Sequence, residues 1–135
     1  MPKPLILLLA VTLLMFSTHV KASVQAAEAA ALAWLEAIDN GEYEQAWEAS
    51  SPLLQRPLSP SMLRRTIALA RQELGPVQSR QRVSVNRQRS MPGAPDGDYI
   101  VFTFHTRFEN KARAIETITP HFEAGTWRVS GYYVQ

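Results

Sequence analysis

The sequence predicts an α+β fold, in which N-terminal helices pack on one face of a curved four-stranded antiparallel sheet. Three observations carry this. Apolar residues recur at helical spacing between Ala26 and Leu74. From Val77 onward they alternate with polar ones, the period of a half-buried strand. The runs are separated by short Gly, Pro and Asn punctuation, so neighbouring strands are joined as hairpins.

Ala26 to Asp39 contains seven alanines and neither glycine nor proline, with Ala31, Trp34, Leu35 and Ile38 along one face. Asn40-Gly41 ends this helix, because both residues tolerate the left-handed C′ position. Glu42 to Ala49 forms a second, shorter helix with Tyr43, Ala46 and Trp47 on one side, closed by Ser51-Pro52. Leu53 to Leu58 reads as a connection. Ser59-Pro60 then supplies an N-cap followed by proline at the first helical position. Leu63, Ile67, Ala70 and Leu74 make the stripe of a third helix, which Gly75-Pro76 stops. Arg71 sits on the flank of that stripe, free either to reach water or to turn inward toward a carboxylate.

The first strand lies within Val77–Arg89, where Gln81, Val83 and Val85 alternate with Arg80, Arg82 and Ser84. A proline- and glycine-rich turn, Met91 to Asp98, leads to the second strand, Tyr99 to Phe108. Glu109-Asn110-Lys111 sets Phe108 opposite Ala112, which brings Phe104 opposite Glu116 and Phe102 opposite Ile118. The turn Glu123 to Thr126 sets Phe122 opposite Trp127 and, by the same count, Glu116 opposite Tyr133. Pro120 cannot donate to a ladder, so the sheet there is expected to be bulged or open.

The first 22 residues have the form of a secretory signal. Lys3 makes a positive start, Leu5 to Phe16 is apolar almost throughout, and Val20-Lys21-Ala22 is a small-residue cleavage pattern. An apolar run of about a dozen residues is too short to span a bilayer. The expected organisation is a signal peptide at 1–22, one α+β domain at 23–135, and a periplasmic or secreted address without a stable membrane anchor after cleavage. The formal charge of the whole chain is +2, but Lys3 and Lys21 leave with the signal and no acid does. Twelve basic side chains then face twelve acidic ones, a balance that argues against nucleic acid as a partner. The absence of cysteine excludes disulfides and thiol chemistry.

Several strings together resemble a bacterial exported family, domain of unknown function 4019. They are Ala33-Trp34-Leu35, Asp39-Asn40-Gly41-Glu42-Tyr43, Ala46-Trp47-Glu48, Ala70-Arg71, Leu74-Gly75 and Ser79-Arg80, then Pro92 to Tyr99, Phe108 to Lys111, Glu116-Thr117 and Trp127 to Tyr132. The resemblance implies a small exported α+β domain and no particular activity. Pro120 and the Glu123-Ala124-Gly125 turn depart from the family pattern. Helices followed by a curved sheet are also similar to the nuclear-transport-factor-like or cystatin-like cone. Ketosteroid isomerase, built on the former, uses an inward acid with a tyrosine.

Glu116 stands on the face otherwise reserved for apolar side chains. A carboxylate there must be paired, and Tyr133, Arg71 and Arg80 are the candidates. Two readings follow, a buried pair that fixes the third helix on the sheet, or an acid in a ligand pocket lined by Glu116, Tyr133 and Arg71. A one-residue slip would instead turn Glu116 to solvent. His105 and His121 fall on the outer face, where both are expected to be solvated, without a third ligand, so no metal site is expected. No nucleophile elbow and no phosphate loop is present, and no cofactor is expected. The leading functional reading is a non-catalytic domain binding a small apolar ligand or a partner protein. The alternatives are an isomerase- or hydratase-type enzyme with Glu116 as acid or base, and a structural accessory domain of an envelope assembly.

Overall fold

The computed structural model describes residues 2 and 23–135, so the expected signal segment lies outside the described residues apart from Pro2. Among the described residues four helices precede four strands: α1 (Val24–Asp39), α2 (Tyr43–Glu48), α3 (Pro52–Gln55), α4 (Pro60–Arg71), β1 (Val77–Gln88), β2 (Asp98–Phe108), β3 (Lys111–Glu123) and β4 (Thr126–Val134). The strands form one open antiparallel sheet in chain order, β1-β2-β3-β4. The fold is α+β.

The helices begin where hydroxyl caps allow. Ser23 Oγ accepts from the Ala26 amide, Ser51 Oγ from Leu53 and Ser59 Oγ from Met62, each satisfying a donor with no partner inside the helix. Leu53 to Leu58, expected as a connection, therefore contains the one-turn α3, nucleated by Ser51 and Pro52. The helix after Ser59 ends at Arg71 rather than Leu74. The chain tightens there through Leu74 N–H donating to Arg71 O and turns at Gly75, whose φ is +73°.

One face of the sheet meets the helices. Phe102, Phe104 and Ile118 lie beneath Trp34, Leu35 and Ile38 of α1, and Leu63 and Ile67 of α4 join the same core. Phe104 faces Glu116, Phe102 faces Ile118 and Phe122 faces Trp127, as the turn lengths predict. Phe108 is opposite Lys111, not Ala112, because the register shifts after Thr106.

The larger departure is in β4. Thr119 pairs with Gly131 and Pro120 with Val129, so Ser130 is an extra residue opposite Pro120. Beyond this bulge Glu116 pairs with Val134 and Thr117 with Tyr133. The expected pairing of Glu116 with Tyr133 is corrected by one residue. Proline without an N–H weakens the ladder where the extra residue enters, and a single insertion exchanges the two faces of every residue after it.

Candidate functional site

A closed array of charges joins the helical layer to the sheet. Asp39 ends α1, Arg71 ends α4, Arg80 lies on β1 and Glu116 on β3. Arg71 donates from Nη1 to Asp39 Oδ1 at 2.6 Å and from Nη2 to Glu116 Oε2 at 2.9 Å. Arg80 donates from Nε to Glu116 Oε1 at 2.7 Å and from Nη1 to Asp39 Oδ2 at 2.9 Å. Thr106 of β2 adds a hydroxyl to Oε1, and Tyr132 of β4 adds its phenol to Oε2. Two arginines and two carboxylates cancel, so the buried charge is neutral.

Each position has a local reason. Arg71 stands in the last turn of α4, where a cation complements the helix dipole. Its guanidinium also packs on the rings of Phe108 and Tyr132, 5.4 and 5.6 Å from their centroids. Asp39 stands at the same end of α1, where the dipole disfavours an acid, and is held there by the two arginines. The Glu116 side chain is fully buried, those of Arg71 and Arg80 are 12% exposed, and that of Asp39 21%.

Burial by itself would raise the Glu116 pKa, but the hydrogen bond and charge of Arg80 outweigh it, and the carboxyl is held below its usual range. Asp39 behaves alike, with burial opposed by hydrogen bonds from Arg80 and Arg71. Burial and the neighbouring Glu116 charge push the Tyr132 phenol well above its usual value. At neutral pH the carboxylates are ionised, the tyrosine is protonated, and every oxygen of Glu116 already accepts hydrogen bonds. No lone pair is left over for a substrate proton.

Glu116 and Arg71, both named from sequence, therefore meet. Tyr133 does not join them. It is 56% exposed, because the Ser130 bulge turns it outward and brings Tyr132 inward in its place. Asp39, Thr106 and Tyr132 were not legible as members. Thr106 carried a faint signal, a hydroxyl among the inward positions Phe102, Phe104 and Phe108 of β2.

His105 is exposed, but His121 is not. It is 6% exposed and stacked on Tyr99, with ring centroids 4.3 Å apart, which corrects its expected solvation. The 91–97 turn folds over this part of the outer face, with Tyr99 donating to Pro95 O at 2.6 Å. Among the described residues no group of three or more His, Asp or Glu could hold a metal ion.

An apolar cleft of about 200 Å³ opens beside the charge array, between α3, α4 and the bulge of β4. Trp34, Leu54, Leu63 and Ile67 form its floor, and Ser130 and Tyr132 one wall. Glu116 does not line it. Trp34 is oriented by its indole N–H, which donates to Ser50 Oγ at 3.0 Å, and by its ring, 5.3 Å from that of Tyr132. A wider depression of about 590 Å³ lies between the starts of α2 and α4. It is shallower, and its rim carries the exposed charges of Glu42, Glu44 and Arg64, unlike the uncharged lining of the cleft.

A family model described as "Protein of unknown function (DUF4019)" matches residues 30–132. No curated protein and no solved structure matches the chain.

Proposed function

Because the chain belongs to the DUF4019 family of proteins of unknown function, its function must be argued from its own geometry, and we propose that it is a non-catalytic, exported domain that binds a small apolar ligand. The observation that carries this is the cleft of about 200 Å³ floored by Trp34, Leu54, Leu63 and Ile67. An apolar concavity excludes water poorly bound to its walls and gains affinity from each apolar group it covers. The charge array supports the same reading. It holds Tyr132, a wall of the cleft, in one position, while its carboxylates are too fully occupied to act as acid or base. The isomerase- or hydratase-type alternative needs a free carboxyl at Glu116, and this geometry does not favour it.

Export rests on the positive start, short apolar run and small-residue pattern of residues 1–22. N-terminal sequencing of protein recovered outside the cytoplasm should begin at Ser23. Native mass spectrometry of that protein should detect a bound small molecule, and Thr66→Trp, at the rim of the cleft, should abolish it. A parent that is empty by mass and binds no apolar probe would sink the proposal.

A partner protein is the second reading. Met62 and Leu69 lie two turns apart on α4 and are 47% and 67% exposed, an apolar strip that no described residue covers. Co-purification that depends on Leu69 and not on Thr66 would favour it.

A further inference from the structure

A second cavity, of about 260 Å³, lies on the opposite side of β4. Met91, Pro92 and Ala94 of the proline-glycine turn roof it, and Tyr99 and Thr119 form its floor. It shares Leu53, Ser130 and Gly131 with the apolar cleft. β4 is an edge strand, and the bulge at Ser130 sits where the two cavities adjoin. Either cavity alone is smaller than the roughly 300–1,000 Å³ of a typical small-molecule site, whereas the two together reach that range.

The cavities differ in chemistry. The first is walled mainly by apolar side chains. The second contains Thr119, which is 7% exposed. Its carbonyl accepts from Ser130 Oγ at 2.8 Å, and its side chain stands in the cavity wall. A hydroxyl in a cavity wall can both donate to and accept from a polar group of a ligand. Among the described residues neither cavity has a charged side chain in its walls. A charged ligand would be desolvated there without compensation.

We infer that the two cavities are one groove, bent around the edge of β4, and that its ligand is a neutral, elongated amphiphile. The apolar chain occupies the cleft against Trp34, Leu63 and Ile67. A hydroxyl, ester or amide head lies over Ser130–Gly131 and bonds the Thr119 hydroxyl. Leu53, at the junction, decides how freely the two halves communicate. This inference rests on the proposed binding function and assigns the class of ligand. It also gives the proline-glycine turn a role, as the roof of the head-group site.

Binding is followed through tryptophan fluorescence or calorimetry on the 23–135 chain purified from the exported, processed protein. The probes are a 1-monoacylglycerol below its micelle concentration, the fatty acid anion of the same chain, and a short alkylbenzene that can occupy the first cavity alone. The monoacylglycerol should bind about tenfold or more tightly than the anion. Affinity should rise by about fourfold per added methylene until the first cavity is full. Thr119→Val, which keeps shape and removes the hydroxyl, should weaken the monoacylglycerol by roughly tenfold and leave the alkylbenzene unchanged. Leu53→Trp should do the same by closing the junction. Monoacylglycerol affinity unchanged in Thr119→Val, or no better than that of the anion, overturns the joined groove while alkylbenzene binding keeps the simpler cleft. Failure of every probe to bind removes both readings.

Discussion

Tyr132, not its neighbour Tyr133, donates its phenolic hydrogen to Glu116 Oε2. The two tyrosines are chemically identical and adjacent, and only the bulge at Ser130 separates their fates. A hydrogen bond to a buried charge contributes about 1.5–3 kcal/mol. Tyr132→Phe should therefore lower the unfolding free energy by about that amount, whereas Tyr133→Phe should stay within about 0.5 kcal/mol of the parent. Urea denaturation of the two variants makes the comparison. Equal losses would show that the register deduced for β4 is wrong.

Removing Glu116 should cost more. Glu116→Leu leaves Arg71 and Arg80, both largely buried, against the single carboxylate of Asp39, and breaking such a buried pair costs about 3–5 kcal/mol. Adding Arg80→Met removes one of the stranded charges, so the double variant should lose less than the sum of the two singles. A double variant whose loss equals that sum would mean that the two side chains do not interact in the folded chain.

Acid should unfold the protein through the same array. Glu116 and Asp39 have folded pKa values depressed below their usual range, chiefly by arginine hydrogen bonds that outweigh burial. A depressed folded value contributes stability that is complete above the unfolded carboxylate pKa, about 4. That stability is lost as the pH falls through the folded value. Unfolding free energy should thus be level above about pH 5 and decline below about pH 4. Glu116→Gln should show a shallower decline, and an identical slope in the variant would exclude Glu116 as a contributor.

Ser50 is a small residue with a large expected effect. Its hydroxyl accepts from Trp34 Nε1 at 3.0 Å and donates to Ala46 O at 2.7 Å, and the residue is fully buried. Ser50→Ala leaves the indole N–H buried without an acceptor, at a cost of about 1–3 kcal/mol. Near-ultraviolet circular dichroism should also change as Trp34 loses its orientation. An unchanged spectrum and stability would mean that packing alone holds the ring.

Gly75 tests the junction between helices and sheet. It combines φ of +73° with a position where an added Cβ would lie 3.1 Å from both Glu109 Cβ and Asn110 Nδ2. Gly41 shares the positive φ, +74°, but faces open space. Both alanine variants should be destabilised through backbone strain, by about 1 kcal/mol, and Gly75→Ala should lose more because its neighbours must also move. Thermal melts of the pair give the ranking directly.

Much of the fold was legible because it depends on local periodicity. The helical stripe Ala31, Trp34, Leu35 and Ile38 and the strand alternation of Ile100, Phe102 and Phe104 each require one buried face, whatever lies opposite. Hydroxyl caps at Ser59 and the stop at Gly75 act within a single turn of chain. The short α3 was missed because four residues are too few to show a period. The buried His121 was missed because its cover, the turn at 91–97, is an irregular segment whose path no pattern predicts.

The charge array was legible only at one point. Glu116 revealed itself as a carboxylate on an apolar face, which has to be paired, and Arg71 and Arg80 could be named as candidates on that ground. Asp39 could not, since a polar residue at the end of a helix is ordinary when seen alone. Pro120 announced a disturbance of the sheet but not its size. A bulge of one residue or none would satisfy the same missing N–H, and the two cases place different tyrosines inside.

By itself, then, the sequence determined the α+β class, the strand order implied by short turns, and the need of Glu116 for a cation. Those follow from interactions within a few residues or from the cost of burying a charge. Tertiary structure alone decided that Tyr132 rather than Tyr133 completes the site, that Asp39 closes the array, and that the cleft against Trp34 lies outside it. These depend on the register of β4 and on where α1 and α4 end above the sheet, which are set by packing between segments more than thirty residues apart in the chain and leave no local mark.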